Sequence, residues 1–372
     1  MTKAGSQMIS NLFGGATTDQ TSTKEEKVWQ VSEILGQAKR SLEKQFHHVS
    51  WEGFRFYDLI FPLFMFLSGV AIPYAIHSKV EKGVLKTALL KKIFTRLIIL
   101  IVLGLIYNRT LKNGFNDVRY ASVLAQIGVG YFFAALIFLY TKQVKKTIYW
   151  LLAIMAGVTV LHLFVPVPEF GAGALEKKAN INRWLDTLIL GGSDPEGILC
   201  MVSAIAITLM GGLAGYLLRS VDLPQQKKSV YLLLAGSILI ITSLAVSPFY
   251  PIIKKLWTVT FIMLTGGIST ILLSAFYFLI DVKGYQEWTL FFRVFGMNSI
   301  TIYMGNKILN FKHSSNFFLG WTNTHFTEEW GAVCNAIGVL ALQGDFSLHL
   351  NVLKHLIQPS KIRIEVNLES LS

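Results

Sequence analysis

The chain has 372 residues, of which 52% are hydrophobic and 15% are charged, and its mean hydropathy is +0.50. This composition is too apolar for a soluble domain of this length, so it predicts an integral membrane protein that has the lipid bilayer as its partner. The net charge of +12 does not indicate a nucleic-acid-binding protein, because the Lys and Arg residues collect in short loops between apolar segments.

Residues 1–46 form a polar segment of mixed charge that contains no apolar stretch long enough to cross a bilayer. A secretory signal peptide would show a basic start followed by an apolar run, and neither is present here. We therefore expect the first domain boundary near residue 46.

The first predicted span runs from Phe54 to Ile76, which exceeds the ~20 apolar residues that cross a hydrocarbon core. Arg55 and Asp58 lie in its first turns and share one helix face. They would either neutralise each other at the headgroup level or mark a site that faces the bundle interior. In the second case, His48 just before the span is a candidate acid or base, although a histidine at this position also suits a membrane interface.

Eight further apolar segments predict an all-α polytopic transmembrane helix bundle of about nine spans. The loop between the first two spans is rich in lysine, so we expect it to be cytoplasmic, with the His48 end outside. The further predicted spans cover about 93–107, 122–140, 147–165, a segment that ends at 218, 230–246, 257–280, a segment that carries 296–303, and a weaker one at 330–343.

Small and polar residues inside these spans have two interpretations. The glycine-rich run from Gly211 to Gly215 favours close packing of two helices. Asn298 and Ser299 each need a hydrogen-bond partner inside an apolar helix, which either a neighbouring helix or a bound ligand would supply.

A second polar motif, Ser193-Asp194-Pro195-Glu196, precedes the fifth span. Its residue types favour an N-cap with a capping box, which would explain the motif by helix formation alone. The alternative is that Asp194 and Glu196 bind a substrate, for example by orienting an acceptor amine.

Four blocks occur together in a fixed order along the chain. They are HVSWEG at 48–53 with DLIFP at 58–62 and FLSG at 66–69, VLAQIG at 123–128, DPEGIL at 194–199, and GMNSI at 296–300. Over residues 46 to 343, the chain resembles the heparan-α-glucosaminide N-acetyltransferase family, whose bacterial members have unassigned substrates.

The resemblance implies a transmembrane acetyltransferase that passes an acetyl group from cytoplasmic acetyl-CoA, its co-substrate, to an amino sugar on the outer side. The active-site histidine of the family maps onto His48, which would act either as a general base or as a transient acetyl carrier. Asp58 is then the candidate to orient His48, and no metal is implied. Candidates for binding acetyl-CoA are Arg96, Gln126, Asn298 and Ser299.

Basic residues at the predicted inner face are a separate candidate group. Arg96, with Lys91 and Lys92, would meet the phosphates of CoA, or all three would simply follow the charge rule for cytoplasmic loops.

The chain also departs from the family pattern. Relatives carry a further helix before the His48 block, which we expect this chain to lack. Ala125-Gln126 stands where the family commonly has Gln-Arg, so only a neutral hydrogen bond is expected from Gln126. Residues 344–372 resemble nothing in the family and suggest a frameshift or a spliced end.

Two other classes of function remain open beside the acetyltransferase. A multi-span transporter would also carry polar residues inside its spans, although it would show an internal repeat with paired broken helices. A truncated, inactive family member is the second alternative. We expect a protein of the bacterial inner membrane, and a homodimer is left open.

Overall fold

The computed structural model describes residues 43–108, 119–141, 143–325 and 328–357, and these residues form helices joined by turns and short loops. Residues 1–42 and 358–372 lie outside this range, so most of the predicted N-terminal segment and the end of the predicted tail are not described. The helices are α1 (Phe56–Glu81), α2 (Lys86–Tyr107), α3 (Val123–Tyr140), α4 (Val144–Phe164), α5 (Ile181–Leu190), α6 (Ile198–Arg219), α7 (Gln225–Val246), α8 (Val259–Tyr277), α9 (Thr289–Met297), α10 (Ser299–Ile308), α11 (Phe311–Leu319), α12 (Thr322–His325) and α13 (Glu328–Ile357).

Within the described residues, seven helices are long and apolar enough to cross a membrane: α1, α3, α4, α6, α7, α8 with its π-helical extension to Val282, and the part of α13 from Trp330 to Leu350. The protein is therefore an integral, multi-pass membrane protein. Helix α2 has 22 residues but carries four cations in its first half, and the α9–α10 pair is interrupted. These two elements would complete the predicted set of about nine spans, which stays a prediction.

Glycines let α1 and α6 approach each other at the level of their backbones. A Cβ added to Gly69 would collide with the carbonyl oxygen of Thr208, and one added to Gly211 or Gly215 would collide with the carbonyl oxygens of Phe66 or Val70. The close helix packing predicted from the glycine-rich run is therefore confirmed. Helix α6 is the most buried of the seven, and the main apolar core lies around it.

The eighth predicted span is not one continuous helix, because Asn298 separates α9 from α10. The Asn298 side chain is buried and donates to the Ser347 hydroxyl of α13 at 2.8 Å, and that hydroxyl donates to the Val294 carbonyl oxygen at 2.8 Å. Of the two interpretations of Asn298, the structure therefore supports a hydrogen bond to a neighbouring helix.

The last helix extends further than the sequence predicts. Helix α13 continues through Gln343 to Ile357, and its membrane-compatible part ends at Leu350 rather than at residue 343. The first fourteen residues of the predicted tail, 344–357, thus continue the last helix.

Contacts between chain-distant loops place the helix ends in two groups. The starts of α1, α3, α6 and α8 lie together with the ends of α2, α4 and α7, and we call this group the His48 end. At the opposite end, the last turns of α1 and α6 are joined by an ion pair between Glu81 and Arg219. The candidate site residues lie towards these two ends of the bundle.

Candidate functional site

His48 and Asp58 meet at the His48 end. The His48 Nδ1 atom lies 2.7 Å from the Asp58 carboxylate, which is buried, whereas 52% of the His48 side chain is exposed. The chain reverses between them so that the backbone N–H of Arg55 donates to the second oxygen of Asp58 at 3.1 Å. The guanidinium of Arg55 donates instead to the His48 carbonyl oxygen at 3.1 Å, so it orders the approach to α1.

Lys254 is the third member of this group. Its Nζ atom lies 3.1 Å from the Asp58 carboxylate and 2.9 Å from His48 Nδ1. It belongs to a 3₁₀ turn, Lys254–Leu256, between α7 and α8. A backbone bond of 2.9 Å from the Gly53 N–H to the Ile252 carbonyl oxygen fastens this loop to the segment that carries His48.

Of these three contacts, the one between His48 and Asp58 assigns the imidazole proton to a ring nitrogen. A carboxylate oxygen accepts hydrogen bonds only, so a 2.7 Å contact with Asp58 requires that His48 Nδ1 carries a hydrogen. Lys254 then donates to Asp58 rather than to the ring. In the neutral imidazole, the lone pair is on Nε2, which has no hydrogen-bond partner among the described residues. This is the arrangement in which a carboxylate orients a histidine that acts as a base or nucleophile.

A second charged group lies at the start of α6. Arg119 donates to both oxygens of Asp194, at 2.5 and 2.8 Å, and also to Glu196. The capping box predicted here is wrong, because α6 begins at Ile198 and its N-cap residue, Gly197, provides no side-chain cap. The first N–H of the helix is satisfied by the carboxylate of Asp186 from α5, at 2.9 Å.

Burial and neighbouring charges give the two carboxylates bound by Arg119 different pKa values. The pKa of Glu196 is raised to about 7, mainly by burial and also by the nearby Asp194, while Arg119 and Lys254 act against this rise. Burial also acts to raise the pKa of Asp194, but the hydrogen bonds from Arg119 and from the backbone N–H of Glu196, together with the charge of Arg119, outweigh burial, so this pKa lies below its ordinary value. Asp194 is thus the charged partner of Arg119, and Glu196 is the group that can exchange a proton near neutral pH.

Lys254 connects the two groups electrostatically. Burial lowers the pKa of Lys254, while the charges of Asp58 and Glu196 act to raise it. The Lys254 turn is itself held by a buried hydrogen-bond network in which His162 bonds Asn182 at 2.8 Å and Asn182 donates to the Leu256 carbonyl oxygen at 3.2 Å.

Two cavities follow α2 from one end of the bundle to the other. The smaller one, of about 60 Å³, lies at the His48 end, where the rings of Tyr107 and Tyr303 stack at 4.5 Å. Its wall is formed by Gly104, Tyr107, Asn108, Arg119, Ser122, Val123, Leu124, Glu196 and Tyr303.

The larger cavity has a volume of about 650 Å³ and extends from Leu103 towards the opposite end. Its lining holds three cations and no carboxylate, and the Arg96 guanidinium also lies 4.1 Å from the centre of the Tyr131 ring. The wall consists of Ala88, Lys91, Lys92, Thr95, Arg96, Ile99, Leu100, Leu103 and Ile300.

The structure brings some of the predicted site residues together and leaves others apart. His48 lies beside Asp58, Asp194 lies beside Glu196, and Arg96 lines the larger cavity. Gln126 is buried away from the cavity walls and donates to the Cys200 carbonyl oxygen at 3.1 Å. Asn298 bonds α13, as described above, and Ser299, at the first turn of α10, does not line either cavity.

Sequence reasoning missed Lys254 and Arg119 as site residues. The charge rule favours lysines at the opposite end of the bundle, and the ion pair of Lys254 with buried Asp58 explains a cation at the His48 end. Arg119 lies in the loop before α3 and carried no motif. Each of these cations lies beside a carboxylate from a chain-distant segment, and this proximity exists only in the folded protein.

No family model matches the chain. Two curated proteins do: the heparan-alpha-glucosaminide N-acetyltransferase of Mus musculus is 29% identical over 326 aligned positions, and that of Homo sapiens is 28% identical over 323. Each alignment covers 71% of this chain and 49% of the relative, so the chain spans about half the length of the curated relatives it matches. These matches support a family-level relationship between this chain and the heparan-alpha-glucosaminide N-acetyltransferases.

Proposed function

We propose that this chain is a transmembrane acetyltransferase that moves an acetyl group from acetyl-CoA at the opposite end of the bundle to an amine at the His48 end. The observation that carries the proposal is the His48–Asp58 pair, which leaves His48 Nε2 without a hydrogen-bond partner among the described residues. The relatives, whose name states N-acetyl transfer, support the same reaction class. In this proposal, residues 47–343 form the catalytic domain.

The larger cavity suits the donor. Lys91, Lys92 and Arg96 offer cations to the phosphates of CoA, and the apolar side chains of Leu100 and Leu103 continue the wall towards the smaller cavity. The two cavities have adjoining walls at Leu103 and Gly104. A CoA bound by its phosphates at the cationic end would direct its pantetheine arm along α2 towards Tyr303.

The acceptor is an amine, for which the relatives suggest an amino sugar. Asp194 and Glu196 offer negative charge at the His48 end, where an ammonium group would be attracted. His48 Nε2 takes a proton from this ammonium, and the free amine then attacks the thioester carbonyl carbon. The C–S bond breaks as the amide forms, and CoA leaves as the thiol with the second proton that the amine nitrogen releases. In the alternative route, Nε2 itself attacks the thioester and the acetyl group passes from the imidazole to the amine.

The orientation follows the charge rule in this proposal. The opposite end carries the lysine-rich loop after α1, so it would face the cytoplasm of a bacterial inner membrane, and the His48 end would face outwards.

The test is transfer of radiolabelled acetyl from acetyl-CoA to glucosamine in membranes that contain the full chain, compared with H48A and with H47A. His47 is adjacent and also exposed, so it controls for the loss of an imidazole at this position. We expect H48A to abolish transfer and H47A to retain it.

Three results would contradict the proposal. These are equal transfer by H48A and wild type, equal loss in H48A and H47A, or no transfer by wild type to glucosamine or any other amino sugar in a panel. Uptake of the sugar into vesicles without acetylation would favour the transporter.

A further inference from the structure

Lys254 is a cation whose ammonium group lies beside the side chains of both His48 and Asp58, and neither the sequence motifs nor the names of the relatives assign it a role. Its Nζ atom is 3.1 Å from the Asp58 carboxylate and 2.9 Å from His48 Nδ1. Asp58 is fully buried, and a buried carboxylate needs a compensating cation to stay ionised. His48 would be that cation if Lys254 were absent.

We propose that Lys254 is a positioning residue that neutralises Asp58 and thereby keeps the His48 imidazole uncharged, with its Nε2 lone pair free to react. This inference deepens the proposed function, since it rests on His48 being the reactive group. Lys254 does not touch the reacting atom, because it lies on the Nδ1 side of the ring. Its effect passes through Asp58.

The geometry around Lys254 fits a placed cation rather than a loose surface lysine. Only 21% of its side chain is exposed, and its turn is fixed by the bond from Asn182 to the Leu256 carbonyl oxygen. The next residue, Lys255, is exposed and its carbonyl oxygen accepts from the Cys200 thiol at 3.6 Å. Two adjacent lysines therefore differ in burial and in partners, which provides a matched control.

Several charged or titratable groups act on this arrangement. Those that face His48 are Arg55, Tyr57 and Asp58 from the start of α1 and Lys254 from the 3₁₀ turn, with Glu196 acting on Lys254 from the start of α6. Removing the lysine leaves Asp58 as the nearest charge to the ring, and an unneutralised carboxylate favours the imidazolium.

The test measures the reactivity of His48 directly, so its result does not depend on finding the acceptor. Diethyl pyrocarbonate is attacked by an unprotonated imidazole nitrogen, which gains the carbethoxy group as the anhydride C–O bond breaks and ethyl carbonate leaves. The full chain in detergent is treated across pH 5.5–8, in an H47Q background. Tryptic peptide 45–55 then contains His48 as its single histidine and reports the modification rate by mass spectrometry.

We expect K254M to move the half-maximal rate of His48 modification about one pH unit upwards, as expected when one neighbouring charge is removed. Modification would then be about threefold slower at pH 7 and about tenfold slower near pH 5.5. K254R and K255M should behave as wild type. The buried His162, 1% exposed and hydrogen-bonded through both ring nitrogens, reports folding because it reacts only if the bundle opens.

The double variant D58N/K254M separates positioning from a merely structural role. If Lys254 acts through the charge of Asp58, the K254M effect should disappear when D58N removes that charge. K254Q replaces K254M if His162 becomes reactive. The proposal is overturned if His48 in folded K254M and K254Q reacts at the wild-type rate or faster, if K255M has the same effect, or if the double variant stays as slow as K254M.

Discussion

The two ends of α2 present cations in opposite ways. At the His48 end, Arg119 and Lys254 are each bound to carboxylates of chain-distant segments. At the opposite end, Lys91, Lys92 and Arg96 line a cavity whose wall contains no carboxylate. Cations that already have partners fix the positions of neighbouring groups, whereas cations without an acidic partner among the described residues are available to an anion. This difference is what the proposed function requires, with the reaction at the first end and donor binding at the second.

The largest effect is expected when the charge of Asp58 is removed and the shape of its side chain is kept. We expect D58N to lower kcat for acetyl transfer by about 10²- to 10⁴-fold, because an amide no longer selects the reactive tautomer of His48. The measurement is steady-state transfer in membranes with equal amounts of protein. D222N, in the exposed loop between α6 and α7, is the control and should be unchanged. A D58N enzyme with wild-type kcat would remove the pair from the mechanism.

The donor cavity is tested by removing two of its cations. We expect K91M/K92M to raise the KM for acetyl-CoA by about 10- to 100-fold with little change in kcat, since each lost charge-assisted bond to phosphate weakens binding. Low salt should enlarge the difference from wild type. The control K145M/K146M removes two exposed lysines at the same end that do not line the cavity. Equal effects of the two double variants would mean that general surface charge, and not this cavity, attracts the donor.

Glu196 provides the pH-dependent test. Its pKa of about 7 means that the carboxylate forms as the pH rises through neutrality, so binding of an ammonium acceptor should strengthen above pH 7 and weaken below it. We expect E196Q to lose this step and to raise the acceptor KM about tenfold at pH 8. The measurement is the acceptor KM of both proteins from pH 6 to 8, in which the titration of the amine itself is common to both. If the acceptor KM of E196Q and of wild type changed with pH in the same way, Glu196 would be excluded as the group that binds the amine.

The smallest effect is expected from R119K. Lysine keeps the charge but cannot donate to both oxygens of Asp194 and to Glu196 at once. Because the Arg119 side chain is partly exposed, we expect only a two- to fivefold rise in the acceptor KM, about the value of an exposed ion pair. R183K, which changes an exposed arginine of α5, is the control. A loss as large as that of D58N would mean that Arg119 takes part in the reaction itself.

Local sequence patterns predicted those parts of the fold and site that depend on residues close in the chain. His48 and Asp58 are ten residues apart in one block, and their proximity needed only a reversal before α1. The helical class and the contact of the glycine-rich run also followed, because apolar length and small residues act through helix formation and packing alone.

Tertiary contacts determined what the sequence could not predict. Lys254 lies 206 residues from His48, and Arg119 lies 75 residues from Asp194, so nothing nearby distinguished them from ordinary loop cations. The capping box failed for the same reason: Arg119 binds Asp194 and Glu196, which local propensity had assigned to the end of a helix. The break at Asn298 likewise depends on a bond to α13.

The glycine contacts between α1 and α6 have a mechanical consequence. Many carriers rock one group of helices against another, which requires an interface that can rearrange its side chains. Gly69, Gly211 and Gly215 leave no side-chain layer between the two backbones. We therefore expect α1 and α6 to form a fixed frame that keeps its shape during turnover. We then expect any movement that admits substrate to occur away from α1 and α6, where α10 contacts α2.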